Sequence, residues 1–325
     1  MSAVDEVTPD QLAALPAAAA ADVPRAYHYG EFYGLKPLPD DGRPLLVVHG
    51  NCQAESVRLL LQNAPDAPCA SVRIPAVHEI AADEIPFLQR LLERCDVLVV
   101  QPITSGYRDL PLGTDDVQTA AGRTQSVVFP VFRFVGLHPY QVVTGSNNPP
   151  VVPYHDLRTV LRAAGRPAPP RLDPTHVEAV TAWSLAALKH REEAAGAVPV
   201  HDLIRAAGVA AANTVNHPGN PVLVGLARRI QAALGWSTTA SDPGFELLDS
   251  VHTPLEQAVR DAVDPSAAVR SDWVVDGQTV LYELVADGQL AWYAEHLDVV
   301  RLILERSFDQ LRCLGVTEPH QINRP

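Results

Sequence analysis

The sequence predicts an α/β fold, a parallel sheet flanked by helices, with helical and β-hairpin additions toward the C-terminus. Three observations carry that prediction. Apolar runs of strand length recur at Leu45-Leu46-Val47-Val48, Val97-Leu98-Val99-Val100 and Val127-Val128-Phe129, and runs apolar on both faces belong to strands covered on both sides, as in parallel sheets. Segments with helical spacing alternate with those runs, the pattern of βαβ units. Further on, Asp276-Gly277 stands between two β-type runs, the composition of a tight hairpin turn.

Taken in order, residues 1–43 read as an arm. Pro, Gly and Asp break any periodicity there, while Tyr27, Tyr29, Phe32 and Tyr33 offer groups that dock on a larger body. Residues 44–240 read as the α/β core with a helical segment. The strand at 45–48 leads through Gly50 into a helix carrying Val57, Leu60 and Leu61, and Ser71-Val72-Arg73-Ile74 reads as the next strand. A helix over roughly 83–93, the strand at 96–100 and the strand at 126–129 follow. Asp173-Pro174 and Asn220-Pro221 each combine an N-cap with a proline in the first turn, opening helices to about Ala195 and through Leu234. Residues 241–325 read as a hairpin around Trp273-Val274-Val275 and Thr279-Val280-Leu281-Tyr282. A long helix capped by Asp287 then presents Leu290, Tyr293, Leu297, Val300, Leu304, Phe308 and Leu311 as one stripe. Hairpin and helix could serve a homo-oligomer as easily as a core.

Composition narrows the function. The chain has 325 residues, is 47% hydrophobic and carries a formal charge of −13. A strongly acidic chain is a poor match to nucleic acid, which wants clustered cations. No apolar run approaches the roughly 18–20 residues of a membrane span, and residues 1–21 lack the basic start and apolar stretch of a signal peptide. A cytoplasmic protein is therefore expected. Its four cysteines, Cys52, Cys69, Cys95 and Cys313, have neither CxxC spacing nor the density of a disulfide framework. No metal is expected, because HExxH is absent and His155-Asp156 and His201-Asp202 have no partners at ligand spacing.

The sharpest motif is His49-Gly50-Asn51-Cys52-Gln53, at the junction of the first core strand and its helix. Ligands of open parallel sheets bind beyond the carboxyl ends of the strands. Gly50 permits a tight turn and close approach of a substrate. Cys52 is expected near the helix N-terminus, where free N–H groups and about half a positive charge favour thiolate. Those N–H groups, with the Asn51 amide, could receive an oxyanion. A cysteine packed as a small hydrophobe fits the same position. A thiol nucleophile wants a base, and the histidines in constrained turns are His138 before Pro139, His217 before Pro218, and His155 before Asp156. Each could equally be a satisfied buried ring. Gln101 ends a core strand at the same sheet edge and could donate to substrate or to loop backbone. Tyr107, Arg108 and Arg133 stand near that edge and could hold phosphates, although lone arginines usually solubilise.

These blocks, in order, resemble the WcbI-type polysaccharide biosynthesis proteins, a family to which an acetyltransferase activity is ascribed. The matching residues are Gly50-Asn51-Cys52-Gln53, Asp96 through Gln101-Pro102, Tyr107-Arg108-Asp109-Leu110-Pro111-Leu112, Phe129-Pro130, Gly136-Leu137-His138-Pro139, Tyr154-His155-Asp156, Arg191-Glu192 and Asn216-His217-Pro218. The resemblance spans about residues 45–235 and departs from the family at Val215 and His49. It implies a Rossmann-like domain related in logic to SGNH hydrolases, with cysteine in place of serine and coenzyme A or acyl-CoA as ligand. It further implies transfer of an acyl group through Cys52 to a hydroxyl or amine of a sugar or natural product. His217 or His138 would be the base, Asn51 and Gln101 would stabilise the oxyanion, and Gly50, Gln53, Tyr107, Arg108, Arg133 and His155 would contact the ligand. Water as acceptor would make the protein a thioesterase or esterase. A site without chemistry would make it a CoA-binding module.

Overall fold

The computed structural model describes residues 15–145 and 147–316. The first 14 residues of the expected arm, with most of the segment read for a signal peptide, lie outside the described residues. The chain divides into two compact units that interleave along the sequence: Met1–Val131, Glu192–Pro199 and Leu223–Gly244 in one, Phe132–Arg191, Val200–Val222 and Phe245–Pro325 in the other.

The first unit is α/β. Its strands β1 (Leu45–His49), β2 (Ala70–Ser71), β3 (Val97–Val100) and β4 (Gln125–Val128) form a parallel sheet in the order β2-β1-β3-β4. Leu46 faces Val97 and His49 faces Val100 across the central pair, and Val97 faces Gln125 on the next. Every residue of β1 and β3 is buried, which explains why their runs carry no polar alternation. The helices α4 (Gln53–Gln62), α5 (Ile85–Leu92) and α6 (Thr114–Ala121) flank the sheet. The expected strand at 71–74 shrinks to the two residues of β2, and the expected helix at 83–93 becomes a 3-10 turn at Ala82–Glu84 followed by α5.

The described part of the arm is helical up to Tyr33 and irregular from Gly34 to Arg43. Three short helices, α1 (Ala17–Ala21), α2 (Val23–His28) and α3 (Gly30–Tyr33), bury Phe32 and Tyr33 against Leu88, Leu91 and Val47. Helices this short are unstable alone, so tertiary contacts hold them. Glu84, fully buried, accepts 2.5 Å from the Tyr33 hydroxyl and pairs with Arg25 at 3.3 Å.

The second unit holds β5 (Gln141–Val142) against β6 (His155–Asp156), then α7 (Leu157–Ala163) and most of α8 (Pro174–Ala195). It continues with α9 (Leu203–Ala207) and β7 (Ala212–Thr214) against β8 (His217–Pro218), after which α10 (Asn220–Ala233) begins. β9 (Val251–His252), α11 (Gln257–Val263), β10 (Trp273–Val275) and β11 (Gln278–Val280) follow, with an antiparallel order β11-β10-β9. Asp276 and Gly277 have φ of 47° and 77°, the two left-handed residues of a type I′ turn. The expected long helix is three: α12 (Tyr282–Glu295), α13 (Leu297–Arg306) and α14 (Phe308–Cys313). Asp287 lies inside α12, and it is Asp272 that accepts from the Tyr282 N–H at 3.0 Å. α12 stops where the His296 ring stacks on Trp292 at 3.9 Å and its Nδ1 takes the Trp292 carbonyl at 2.7 Å. That carbonyl would otherwise accept the next helical N–H.

Candidate active site

The turn after β1 is braced from within the first unit. β3 ends in Gln101, whose side chain is fully buried and whose N–H donates to the His49 carbonyl at 3.0 Å. Its Oε1 accepts from the Asn51 N–H at 2.8 Å, and its Nε2 donates to Gln53 Oε1 at 3.0 Å and to the Pro130 carbonyl at 3.3 Å. The Gln101 amide is therefore spent on holding the loop, with Gln53 as one of its partners. Gly50 is required by that brace, because a Cβ there would lie 2.5 Å from Gln101 Oε1. Asn51 opens α4, its Oδ1 accepting from the Gln53 N–H at 2.9 Å and its carbonyl from the Ala54 N–H at 2.9 Å. His49, fully buried, donates from Nε2 to the Leu112 carbonyl at 3.0 Å and tethers β1 to the loop before α6.

Cys52 sits at the first turn of α4, half-buried, on the wall of a cleft of about 230 Å³. The backbone N–H groups of Cys52 and Gln53 hydrogen-bond its sulfur, yet burial outweighs them and pushes the thiol up to about 11. The expectation of a helix-stabilised thiolate is thus corrected: desolvation of the charged form is the larger effect at this position. Glu79 adds to it from the same cleft wall. That carboxylate is held by Arg25 at 3.2 Å and by the Tyr29 hydroxyl at 3.4 Å, while Arg73 pairs with Glu55 at 3.1 Å. Tyr29, Glu55, Arg73 and Glu79 line the cleft, and sequence reasoning does not find them as site residues. Arg73 falls in a run read only as a strand, and Glu79 in a stretch with no motif to mark it.

Tyr107 packs against the core of this unit. Arg108, at a φ of 57°, donates to the carbonyls of His78 at 2.5 Å and Ile80 at 3.4 Å, so its guanidinium fastens the segment that carries Glu79.

The three histidines and Arg133 belong to the second unit. His138 is 3% exposed, with Nε2 on the Ala212 carbonyl at 3.2 Å and Nδ1 on the Thr253 hydroxyl at 2.6 Å. His155 is fully buried, bonded to Tyr293 at 2.8 Å and Thr144 at 3.3 Å, and stacked on the Tyr293 ring. Both rings have two engaged nitrogens and no open edge, which makes them braces of the unit in place of the base and ligand contact expected. His217, on β8, is half-buried and packs edge-on against Tyr154, with ring centroids 6.3 Å apart. Burial lowers all three to about 4, so each ring is neutral at pH 7. Arg133 lines a different cleft with Arg191 and Arg306.

Among the described residues no group of three or more His, Cys, Asp or Glu could hold a metal ion. No helix among them is long and apolar enough to cross a membrane.

The family model of the polysaccharide biosynthesis enzyme WcbI matches residues 45–239. The chain belongs to the WcbI family. This WcbI family member is also similar to a solved structure of a WcbI polysaccharide biosynthesis enzyme, with a TM-score of 0.67 and 19% identity over 84% of this chain and 99% of that one. That structure is described as the native protein without a disulfide bond between coenzyme A and one of its cysteines. No curated protein matches the chain.

Proposed function

We propose that this WcbI family protein is a CoA-dependent acyltransferase in which Cys52 carries the acyl group to a hydroxyl or amine of a sugar or natural-product scaffold. The observation that supports it most is the Cys52 thiol at the start of α4, beyond the carboxyl end of β1, on the wall of a small cleft. A parallel sheet with a nucleophile at such a strand end is also the arrangement SGNH hydrolases use, with serine there. The cleft, at about 230 Å³, is smaller than the roughly 300–1,000 Å³ of sites that enclose a drug-sized ligand. It fits an acyl thioester and the neighbouring part of its arm.

In the first half of the reaction the Cys52 sulfur bonds to the acyl carbon, and the bond from that carbon to the CoA sulfur breaks. A base takes the thiol proton as the bond forms and returns it to the departing sulfur, the role that the family resemblance implies for His217. The positive end of the α4 dipole and an N–H of the Asn51 side chain, whose Oδ1 caps the helix, stabilise the developing oxyanion. In the second half the acceptor hydroxyl or amine attacks the Cys52 thioester, and its proton passes through the same base back to the Cys52 sulfur.

The test is intact-protein mass spectrometry after incubation with acetyl-CoA and longer acyl-CoAs. An acyl adduct on the wild type, absent from Cys52→Ala and slowed in His217→Gln, is the expected result. Absence of an adduct together with full turnover by Cys52→Ser would overturn the covalent route. The buried, protonated thiol favours a second reading, a CoA-binding module without chemistry, which predicts that Cys52→Ala binds CoA normally and that no acceptor turns over.

A further inference from the structure

The second unit contains a cleft of about 220 Å³ in which the side chains of Arg133, Arg191 and Arg306 meet, contributed by three distant segments of the chain. None of the described residues lining it is acidic. Arg133 is open to solvent by area, yet protein crowds its guanidinium enough to lower its pKa, and the two other arginines lower it further. Those two facts together describe a group on the wall of a concavity. Arg133 donates to the Val143 carbonyl, and Arg191 to the Arg133 carbonyl at 3.0 Å, which fixes where both cations point. Three guanidinium groups on one concave wall are complementary to an anion of matching size.

A second feature of the same wall is independent of charge. Gln141 is 5% exposed, and its buried Oε1 has no hydrogen-bond partner. Such an oxygen is stable beside a donor, and a hydroxyl or phosphate O–H supplies one. Ser184 is a further polar group of the lining, and Trp183 offers an apolar edge.

We infer that this cleft binds the phosphate or diphosphate of an organic phosphate ester, its oxygens on Arg133, Arg191 and Arg306 and a neighbouring hydroxyl on Gln141. Arginine suits that role because its planar fork pairs phosphate oxygens two at a time. The volume holds a diphosphate or a sugar phosphate but not a whole nucleotide, whose remainder would extend into solvent.

The experiment is calorimetric titration of the full chain with inorganic pyrophosphate at constant ionic strength. The wild type is expected to bind saturably, with Kd raised at least tenfold in Arg306→Gln and in Arg133→Gln. Arg306 is exposed, so its variant tests the site even if Arg133→Gln fails to fold, which circular dichroism would reveal. A Cys52→Ala variant keeps pyrophosphate binding, so failure here and failure of the acyl-transfer reading are separable. Repeating the titration with CoA, dephospho-CoA and UDP-glucose identifies the source of the phosphate as the ligand whose affinity falls in the same variants. No saturable pyrophosphate binding, or a Kd within twofold of wild type in Arg306→Gln, would overturn the inference.

Discussion

Gly50→Ala is the sharpest probe of how the Cys52 turn is built. The added Cβ would lie 2.5 Å from Gln101 Oε1, 2.9 Å from its Cδ and 3.0 Å from its Cγ. Gln101 is fully buried, so its side chain cannot swing out to solvent and must shift within the loop. The shift breaks the 2.8 Å bond to the Asn51 N–H or the 3.0 Å bond to Gln53. Overpacking costs about 1–3 kcal/mol, and a buried polar group left unsatisfied about 1–3 kcal/mol more. Urea unfolding of Gly50→Ala should therefore give a loss of about 2–6 kcal/mol. On a Gln101→Ala background the obstacle is gone, and the same substitution should cost less than about 1 kcal/mol, a coupling of the size found for residues in contact. Equal costs in the two backgrounds, or a loss below about 0.5 kcal/mol in the wild type, would refute the brace.

Two further outcomes follow from the electrostatics. With its thiol pushed from an ordinary 9.0 to about 11, Cys52 should react with iodoacetamide at a rate that climbs about tenfold per pH unit from pH 7 to 10; a plateau below pH 8, read by peptide mass spectrometry, would show a stabilised thiolate instead. His138, His155 and His217 are lowered to about 4 in the fold against an ordinary 6.5, so unfolding takes up protons between those values. The stability they lend is complete above pH 6.5 and is lost as pH falls toward 4, by about 1.4 kcal/mol per pH unit for each ring, and a denaturation midpoint that stays level from pH 6.5 to 4.5 would contradict it.

What the sequence disclosed and what it withheld divide along the range of the interactions involved. β1 and β3 were readable because strands buried on both faces need unbroken apolar runs, and the Asp276-Gly277 turn because only certain residues accept left-handed φ at both positions. The turn at Gly50 and Cys52 was readable from its place between an apolar run and a helical one, although what demands glycine there is Gln101, distant in sequence. The helices of the arm were not, since Pro24 and Gly30 erase their periodicity and a buried Glu84, distant in sequence, holds them by Arg25 and Tyr33. Nor could the sequence assign Gln101 to the loop or close His138 and His155 into braces. Those roles depend on Asn51, Thr253 and Tyr293, partners reached only through the fold. The arginine cleft is the extreme case: Arg133 and Arg191 stand out singly in the sequence, Arg306 does not, and only the fold brings the three together.

The raised thiol of Cys52 bears on the proposed chemistry in a direction opposite to the one first expected. A low pKa would make the sulfur a ready nucleophile but also a ready leaving group. When acyl transfer joins two sulfurs on one carbon, the sulfur of lower pKa departs faster. Against an ordinary thiol near 8.5, a Cys52 at about 11 is the poorer leaving group of the two, so breakdown commits the acyl group to the protein. In the second half its competitor is a hydroxyl or amine, far more basic than any thiol, and Cys52 becomes the better leaving group. Burial thus biases both halves forward at the expense of the initial attack, which then requires a base acting in concert with bond formation. A solvent isotope effect on acylation that vanishes in His217→Gln is the signature of that concerted proton transfer, and its persistence in the variant would take His217 out of the step.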